Sequence, residues 1–490
     1  MLDLQKLHDC SLPNYERNNL KQGILHIGIG AFHRAHQIFY IDKLLNIGDK
    51  DALNWGYISG TIRTNQKLID DLRKNDCLYT LSTNDESGTK NTLIGALKDV
   101  YFAGNDQSQD LIAKIANPNI KIITYTVTEK GYYIDLSIQK LDFENADIVH
   151  DLNNIKTPKT AIGITVAGLY KRWQENSEAI TLLSCDNMPN NGKILRKAIL
   201  EFSNKLDNEL SSWISKNVSF PSSMVDRIVP ALTQKTLDNI ENMIGQKDIS
   251  AVATEEFSQW VIEDDFANGR PELEKVGVEF VKDIEPFEKL KLTMLNGSHS
   301  LIAYLGAYAG LKTVDEVISQ PEFYTFIRKY MLEIAAPLVE GLPQEVSTST
   351  YADKLLHRFA NPHLKHKTEQ IAMDGSKKIP QRWLGSLEHL LENKQNYDIL
   401  ALGIAGWILF CSGKDQHGKN LQISDPLQDT YKLIYQDNNQ YKDIVNNFLS
   451  LKSIFPDKIA KNKNLHTKVI FFIEQINKNT VTKTLAKLGE

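Results

Sequence analysis

Cysteine is scarce in this chain. Its four cysteines, Cys10, Cys77, Cys185 and Cys411, lie far apart and form no C-x-x-C pair. That argues against a disulfide framework or a zinc ribbon and fits a reducing cytoplasm. Positive charge is not in excess: the formal net charge is −5 and the pI is near 6.2, so neither nucleic acid nor an anionic membrane is an expected partner. The start, MLDLQKLHDCSLPNYERNN, has no basic segment leading into an apolar core and does not read as a secretory signal. No apolar run is long enough to cross a bilayer. The longest, ILALGIAGWILFC at 399–411, is expected to be a buried helix. There is no internal repeat and no low-complexity tract.

What is present is an ordinary globular composition, 42% hydrophobic and 24% charged, in 490 residues, enough for two or three domains. GILHIGIGAFHRAH begins as a short apolar strand that ends in glycines, and HQIFYIDKLLNIG then follows with helical periodicity. NWGYISGTIR (54–63) reads as a second strand and QKLIDDLRKN (66–75) as a helix. IKIITYTVTEKGY (120–132) is strand-like before it turns, and AITLLSCDNMPNNG (179–192) is a strand ending in small polar residues. Alternation of this kind predicts an α/β fold with a parallel sheet of Rossmann type, helices on both faces, and ligands beyond the carboxyl ends of the strands. After about residue 285 the pattern becomes almost wholly helical, including 322–340, 398–411 and 466–487. The expected division is a dinucleotide-binding domain over 1–285 and a mainly α-helical domain over 286–490.

Gly28-Ile29-Gly30, followed by Ala31 and Phe32, supplies two of the three positions of the dinucleotide fingerprint. The third position is His33. The acidic residue expected after the second strand, where it would meet a ribose hydroxyl, is missing. Arg63, Thr64 and Asn65 stand there instead, and Arg63 could face a 2′-phosphate or be an exposed strand-end arginine. His33 and His36 form H-x-x-H, too few ligands for a metal, so no metal site is expected.

KLTMLNGSH at 291–299 sets Lys291, Asn296 and His299 into an apolar helical segment. At about 100° per residue, Asn296 lies about 140° and His299 about 80° from Lys291, so the three fit one broad face. Such a trio suits carbinol–carbonyl interconversion: one group handles the hydroxyl proton and the others steady the alkoxide. A lysine serves as that base only where burial brings its pKa from about 10.4 to roughly 7–8. SCDN places Asn187 at a strand end, FPSSMVDRIVP places Asp226 among apolar residues, and 358–382 is dense in cations.

The stretches GIGAFHRAHQ, TVTEKGY, SCDN, FPSSMVDRIVP, WVIEDDFANGRP, KLTMLNGSHS and MDGSKKIPQR together resemble the polyol-specific long-chain dehydrogenase/reductase family. That family includes mannitol 2-dehydrogenase, fructuronate reductase and tagaturonate reductase. The resemblance implies metal-independent hydride transfer with NAD, NADP not being excluded. It implies a catalytic lysine at Lys291 and an alkoxide-stabilising pair at Asn296 and His299. It further implies that Asn187 and Asp226 support the substrate and the proton path, and that Lys378 contacts substrate. TEKGY rather than TEGGY, with the cation-rich 361–382, points to the uronate branch. Lys130, His366 and Arg382 are then the carboxylate candidates. The expected activity is interconversion of D-fructuronate and D-mannonate, with mannitol 2-dehydrogenase or tagaturonate reductase as alternatives and a non-catalytic cofactor sensor as the rival class. The expected partner is a sugar acid or polyol, in a monomer or small homo-oligomer.

Overall fold

A computed structural model describes residues 2–489 apart from 86–87, 105–106, 136–139, 176–177, 363 and 439. The chain forms two compact units, Met1–Glu285 and Pro286–Glu490.

The first unit is built on a six-stranded sheet. Its strands, in chain order, are β1 (Gln22–Ile27), β2 (Gly56–Thr61), β3 (Leu97–Phe102), β4 (Ile122–Tyr125), β5 (Ile180–Ser184) and β6 (Val218–Ser219). Every pairing is parallel and the spatial order is 3-2-1-4-5-6. That is the doubly wound dinucleotide-binding order, whose direction reverses between β1 and β4. The central strands are buried along almost their whole length and rich in isoleucine and leucine, because both faces are covered. After β1 come α1 (Ala31–Ala35) and α2 (Gln37–Asn46), and after β2 comes α3 (Gln66–Lys74). Further on lie α4 (Gln109–Ala116), α5 (Ala146–Asn153), α6 (Ala161–Gln174) and α7 (Asn191–Leu206).

Two features depart from simple alternation. A hairpin of Tyr79–Asp85 and Gly88–Ile94 interrupts the β2–β3 crossover and belongs to a second, four-stranded sheet with Cys10–Ser11 and Val252–Glu255. A three-stranded sheet joins Ser223–Asp226, Gln259–Glu263 and Glu279–Val281. The strand expected over 120–132 is confined to β4. Beyond it the chain turns because the buried Asp186 carboxylate accepts the amides of Val127 (3.0 Å) and Thr128 (2.8 Å) and the Tyr132 hydroxyl (2.6 Å).

The second unit is helical. Its centre is α8 (Gly297–Tyr308), every residue of which is buried. Around it lie α9 (Thr348–Phe359), α10 (Asp398–Phe410) and α11 (Lys463–Asn479). α10 packs on both α8 and α11. It is apolar on all sides because it is enclosed on all sides, as expected of the 399–411 run. The helix expected over 466–487 is two: Thr480, at φ +86°, ends α11, and Val481–Gly489 starts afresh. Among the described residues no helix is long and apolar enough to cross a membrane. The four cysteines are free.

Candidate active site

In the first unit, the turn after β1 brings three strand ends together. The Gly28 amide donates to the Gly60 carbonyl at the end of β2 (2.8 Å), and the Thr126 hydroxyl donates to the Gly28 carbonyl from the end of β4 (2.8 Å). Gly28 has φ +114°, and a Cβ there would collide with the Thr126 carbonyl. Only glycine meets both demands. Gly30 caps α1 without a side chain, so the first-turn amides stay open for an anion.

Behind the turn lies a buried histidine stack. The His26 and His33 rings lie parallel, 3.3 Å apart. His33 bonds Gln37 Oε1 (3.1 Å) and Ser59 Oγ (3.0 Å), while His36 Nε2 meets the Gln259 carbonyl (2.9 Å). Burial holds His33 well below the usual imidazole range, so the ring is neutral. These bonds explain H-x-x-H as a support for the turn.

In front of the turn lies a crevice of about 440 Å³, lined by residues 27–30 of the β1 end, 61–65 of the β2 end, and 126–128 of the β4 end, with Lys130, Tyr133 and Lys159. Its position at the strand-order reversal, its glycine approach and its open amides fit a dinucleotide. Lys130, expected on a substrate carboxylate, lies here. Arg63 is exposed but engaged: its Nη2 bonds Asp147 Oδ2 (2.5 Å) and the Tyr133 hydroxyl (2.8 Å).

Asn187 and Asp226 stand on neighbouring segments of the same unit. Asn187 is exposed just past β5, and Asp226 is buried at the end of Ser223–Asp226. Asn191 ties these segments together. Its Nδ2 donates to the carbonyls of Asp186 (2.9 Å) and Ser223 (2.7 Å), and its Oδ1 accepts the Ser223 amide (3.0 Å).

In the second unit, the Lys-Asn-His segment is not a regular α-helix. Glu285–Leu290 is α-helical, Lys291–Asn296 is a π-helical turn, and α8 follows. A π turn bonds i to i+5, so Lys291 and Asn296 lie one above the other where regular spacing sets them about 140° apart. His299 and Ser300 continue that face, three and four residues beyond Asn296.

The widened turn exposes backbone carbonyls, and side chains from two other π-helical turns, Tyr330–Ala335 and Pro380–Leu384, take them up. Tyr330 donates to the Thr293 carbonyl (2.9 Å), Arg382 Nη1 to the Asn296 carbonyl (3.1 Å), and Trp383 Nε1 to the Gly297 carbonyl (3.1 Å). A Cβ on Gly297 would strike the Tyr330 hydroxyl. Arg382 also bonds Ser300 Oγ (2.9 Å). The structure therefore gives Arg382, a carboxylate candidate by sequence, a job in holding the turn.

Lys291 is buried and Asn296 half-buried. The His299 ring stacks at a tilt on Phe359 of α9 (4.6 Å) and meets His366 edge-on (5.9 Å). Nε2 of His299 and Nδ1 of His366 are buried with no hydrogen-bond partner among the described residues. Burial, then His366, Arg358, Arg382 and Lys378, hold His299 far below the usual imidazole range. Burial and Arg382 bring Lys378 down to about 8, against Asp374 and Asp425, which raise it; its Nζ donates to the Ile371 carbonyl (3.0 Å). The second unit thus concentrates cations around a neutral imidazole. Arg358, buried in α9, belongs to this cluster. Sequence reasoning missed it, although it opens the cation-dense stretch.

These features define a Rossmann-type dinucleotide-binding protein with a polar trio on a separate helical unit. The chain belongs to the mannitol dehydrogenase family: residues 22–275 match "Mannitol dehydrogenase Rossmann domain" and residues 283–477 match "Mannitol dehydrogenase C-terminal domain". It is 39% identical to the D-mannonate oxidoreductase of Escherichia coli over 480 residues, 97% of each chain. It is 36% identical to a mannitol 2-dehydrogenase of Neosartorya fischeri, over 97% of this chain and 95% of that protein. The structure of Pseudomonas fluorescens mannitol 2-dehydrogenase in ternary complex with NAD and D-mannitol superposes with a TM-score of 0.82 at 35% identity, covering 99% of both chains. The chain is accordingly an oxidoreductase of this family.

Proposed function

We propose that the chain reduces D-fructuronate to D-mannonate with NADH and catalyses the reverse oxidation with NAD. The observation that carries this reading is the trio Lys291, Asn296 and His299 on one face of the π turn, within a cluster of cations suited to a carboxylate. The crevice from Gly28 to Thr128 is the cofactor cradle. Bound there, NADH would supply the hydride for reduction and NAD would accept it in the reverse direction.

In reduction, protonated Lys291 gives its proton to the keto oxygen, and in oxidation the neutral amine takes it back from the hydroxyl. Asn296 donates its amide hydrogen to that oxygen. His299, held neutral, cannot be the acid at pH 7, but it can donate through Nε2–H, the nitrogen left without a partner. The cations gathered around the imidazole disfavour a divalent ion there, and the proton chemistry is assigned to lysine. Asn187 and Asp226 support substrate, and Arg358, His366 and Lys378 attract its carboxylate. The supporting comparison is the E. coli D-mannonate oxidoreductase. Kinship with mannitol 2-dehydrogenases makes fructose the main competitor.

The test follows NADH absorbance with D-fructuronate, D-tagaturonate and D-fructose at equal concentration. Turnover is expected to be fastest on fructuronate. Preference for fructose or tagaturonate would replace the substrate, and cofactor binding without turnover on any would point to a sensor.

Lys378 adds a pH prediction. Its folded pKa of about 8 leaves the cation charged below that pH and lost above it. KM for fructuronate should therefore rise as pH passes through about 8, while KM for neutral fructose stays level. Parallel profiles for the two sugars would remove Lys378 from carboxylate binding.

A further inference from the structure

The nucleotide crevice lacks the acidic residue that ordinarily follows β2 and reads the 2′-hydroxyl of the adenosine ribose. Arg63 occupies that region, and an arginine there ordinarily welcomes a 2′-phosphate. The structure adds a carboxylate from elsewhere in the chain. Asp147, in the first turn of α5, bonds Arg63 Nη2 at 2.5 Å and accepts from the Tyr133 hydroxyl at 3.3 Å. Arg63 and Tyr133 both line the crevice. Asp147 is part-exposed, its side chain 38% accessible, and its first-turn place on α5 follows from the Asn145 cap, whose Oδ1 accepts the Asp147 amide at 3.0 Å. Arg63 holds Asp147 below the usual carboxylate range, so the group is anionic throughout the neutral region.

We propose that Asp147 is the specificity determinant that makes this crevice select NAD(H) over NADP(H), by occupying Arg63 and presenting its own negative charge where a 2′-phosphate would have to sit. The inference rests on the reading of the crevice as the cofactor site. A dianionic phosphate would meet Asp147 at short range and would have to break its bond to Arg63. Like charges juxtaposed in this way reject a ligand by a penalty that no neutral hydroxyl incurs. A ribose 2′-hydroxyl, by contrast, finds an acceptor in the carboxylate. The other crevice cations, Lys130 and Lys159, attract the phosphates common to both cofactors, so they do not discriminate. A motif search at β2 cannot find Asp147, because it arrives eighty-odd residues later in sequence, as the Arg63–Asp147 separation shows.

The experiment is calorimetric titration of the full chain, without sugar, with NADH and with NADPH. Wild type should bind NADH at least about tenfold more tightly than NADPH. Asp147→Asn keeps the side chain's shape and removes the charge. It should narrow that ratio by about tenfold or more, chiefly through tighter NADPH binding by the released Arg63. In the double variant Arg63→Ala with Asp147→Asn that gain should vanish, because the cation that would hold the phosphate is gone. Equal wild-type affinities, tighter NADPH binding by wild type, or an unchanged ratio in Asp147→Asn would overturn the proposal and leave the cofactor site standing. Failure of both cofactors to bind wild type would instead bring down the cofactor-site reading itself.

Discussion

Lys291→Met should abolish turnover while leaving NADH binding intact. Methionine keeps the length and the apolar stem that the buried π turn accommodates, but it has no proton to give. A positioned acid or base contributes about 10²–10⁴ in rate, and a mismatched proton inventory cannot be made good by Asn296 or by His299, which is neutral. The expected loss in kcat is about 10³-fold or more. Affinity for NADH, measured by titration, should change little, because the cradle is built from residues of the first unit, Gly28 to Lys159. A second variant separates chemistry from packing. Lys291→Arg keeps the charge but cannot release a proton near neutrality, so it should be nearly as inactive as methionine. If either variant kept near-normal turnover, the proton would have to come from another group. A loss confined to NADH affinity would likewise remove Lys291 from the chemistry.

The separate reasons why parts of this molecule can be read from its sequence are visible in particular residues. The β1–glycine–α1 turn is local: an apolar strand, Gly28, Gly30 and a helix follow one another, and neighbouring strands merely complete the pairing. The fold class followed from the same alternation. The inserted hairpin at 79–94 escaped because β-branched and polar residues there carry no signal of which sheet they join. The trio stands out in the sequence as polar residues in an apolar segment, but its geometry does not. A regular helix of about 100° per residue is the only period that sequence suggests. The π turn exists because Tyr330, Arg382 and Trp383, distant in sequence, supply donors to the carbonyls it frees. Gly297 leaves the space into which the Tyr330 hydroxyl fits. Arg63 was read alone, and its partner Asp147 changes its meaning. Lys130, His366 and Arg382 looked alike as cations near expected sites. The structure gives them different surroundings: the dinucleotide crevice, the His299 ring and the π-turn carbonyls respectively.

Arg358→Met should convert a uronate preference into indifference. Arg358 is buried in α9 next to Phe359, whose ring packs on His299, and its charge acts on both His299 and His366. A sugar carboxylate is the anion that the proposed substrate brings, and a guanidinium meets it with two parallel donors. A charge-assisted contact of this kind is worth about 1.5–3 kcal/mol, or roughly one to two powers of ten. In Arg358→Met, kcat/KM for fructuronate should therefore fall about 10²-fold, and that for fructose should move by no more than a few-fold. Adding His366→Gln should deepen the fructuronate loss only. The comparison between sugars guards against a trivial cause, since loosening of α9 under His299 would slow both substrates alike. A matched loss on both sugars would make Arg358 a packing residue and remove the main support for the uronate reading. A loss on fructuronate alone would place the carboxylate beside Arg358 and His366. Arg382 would then be left to its hold on the Asn296 carbonyl, where its removal should cost turnover on every substrate.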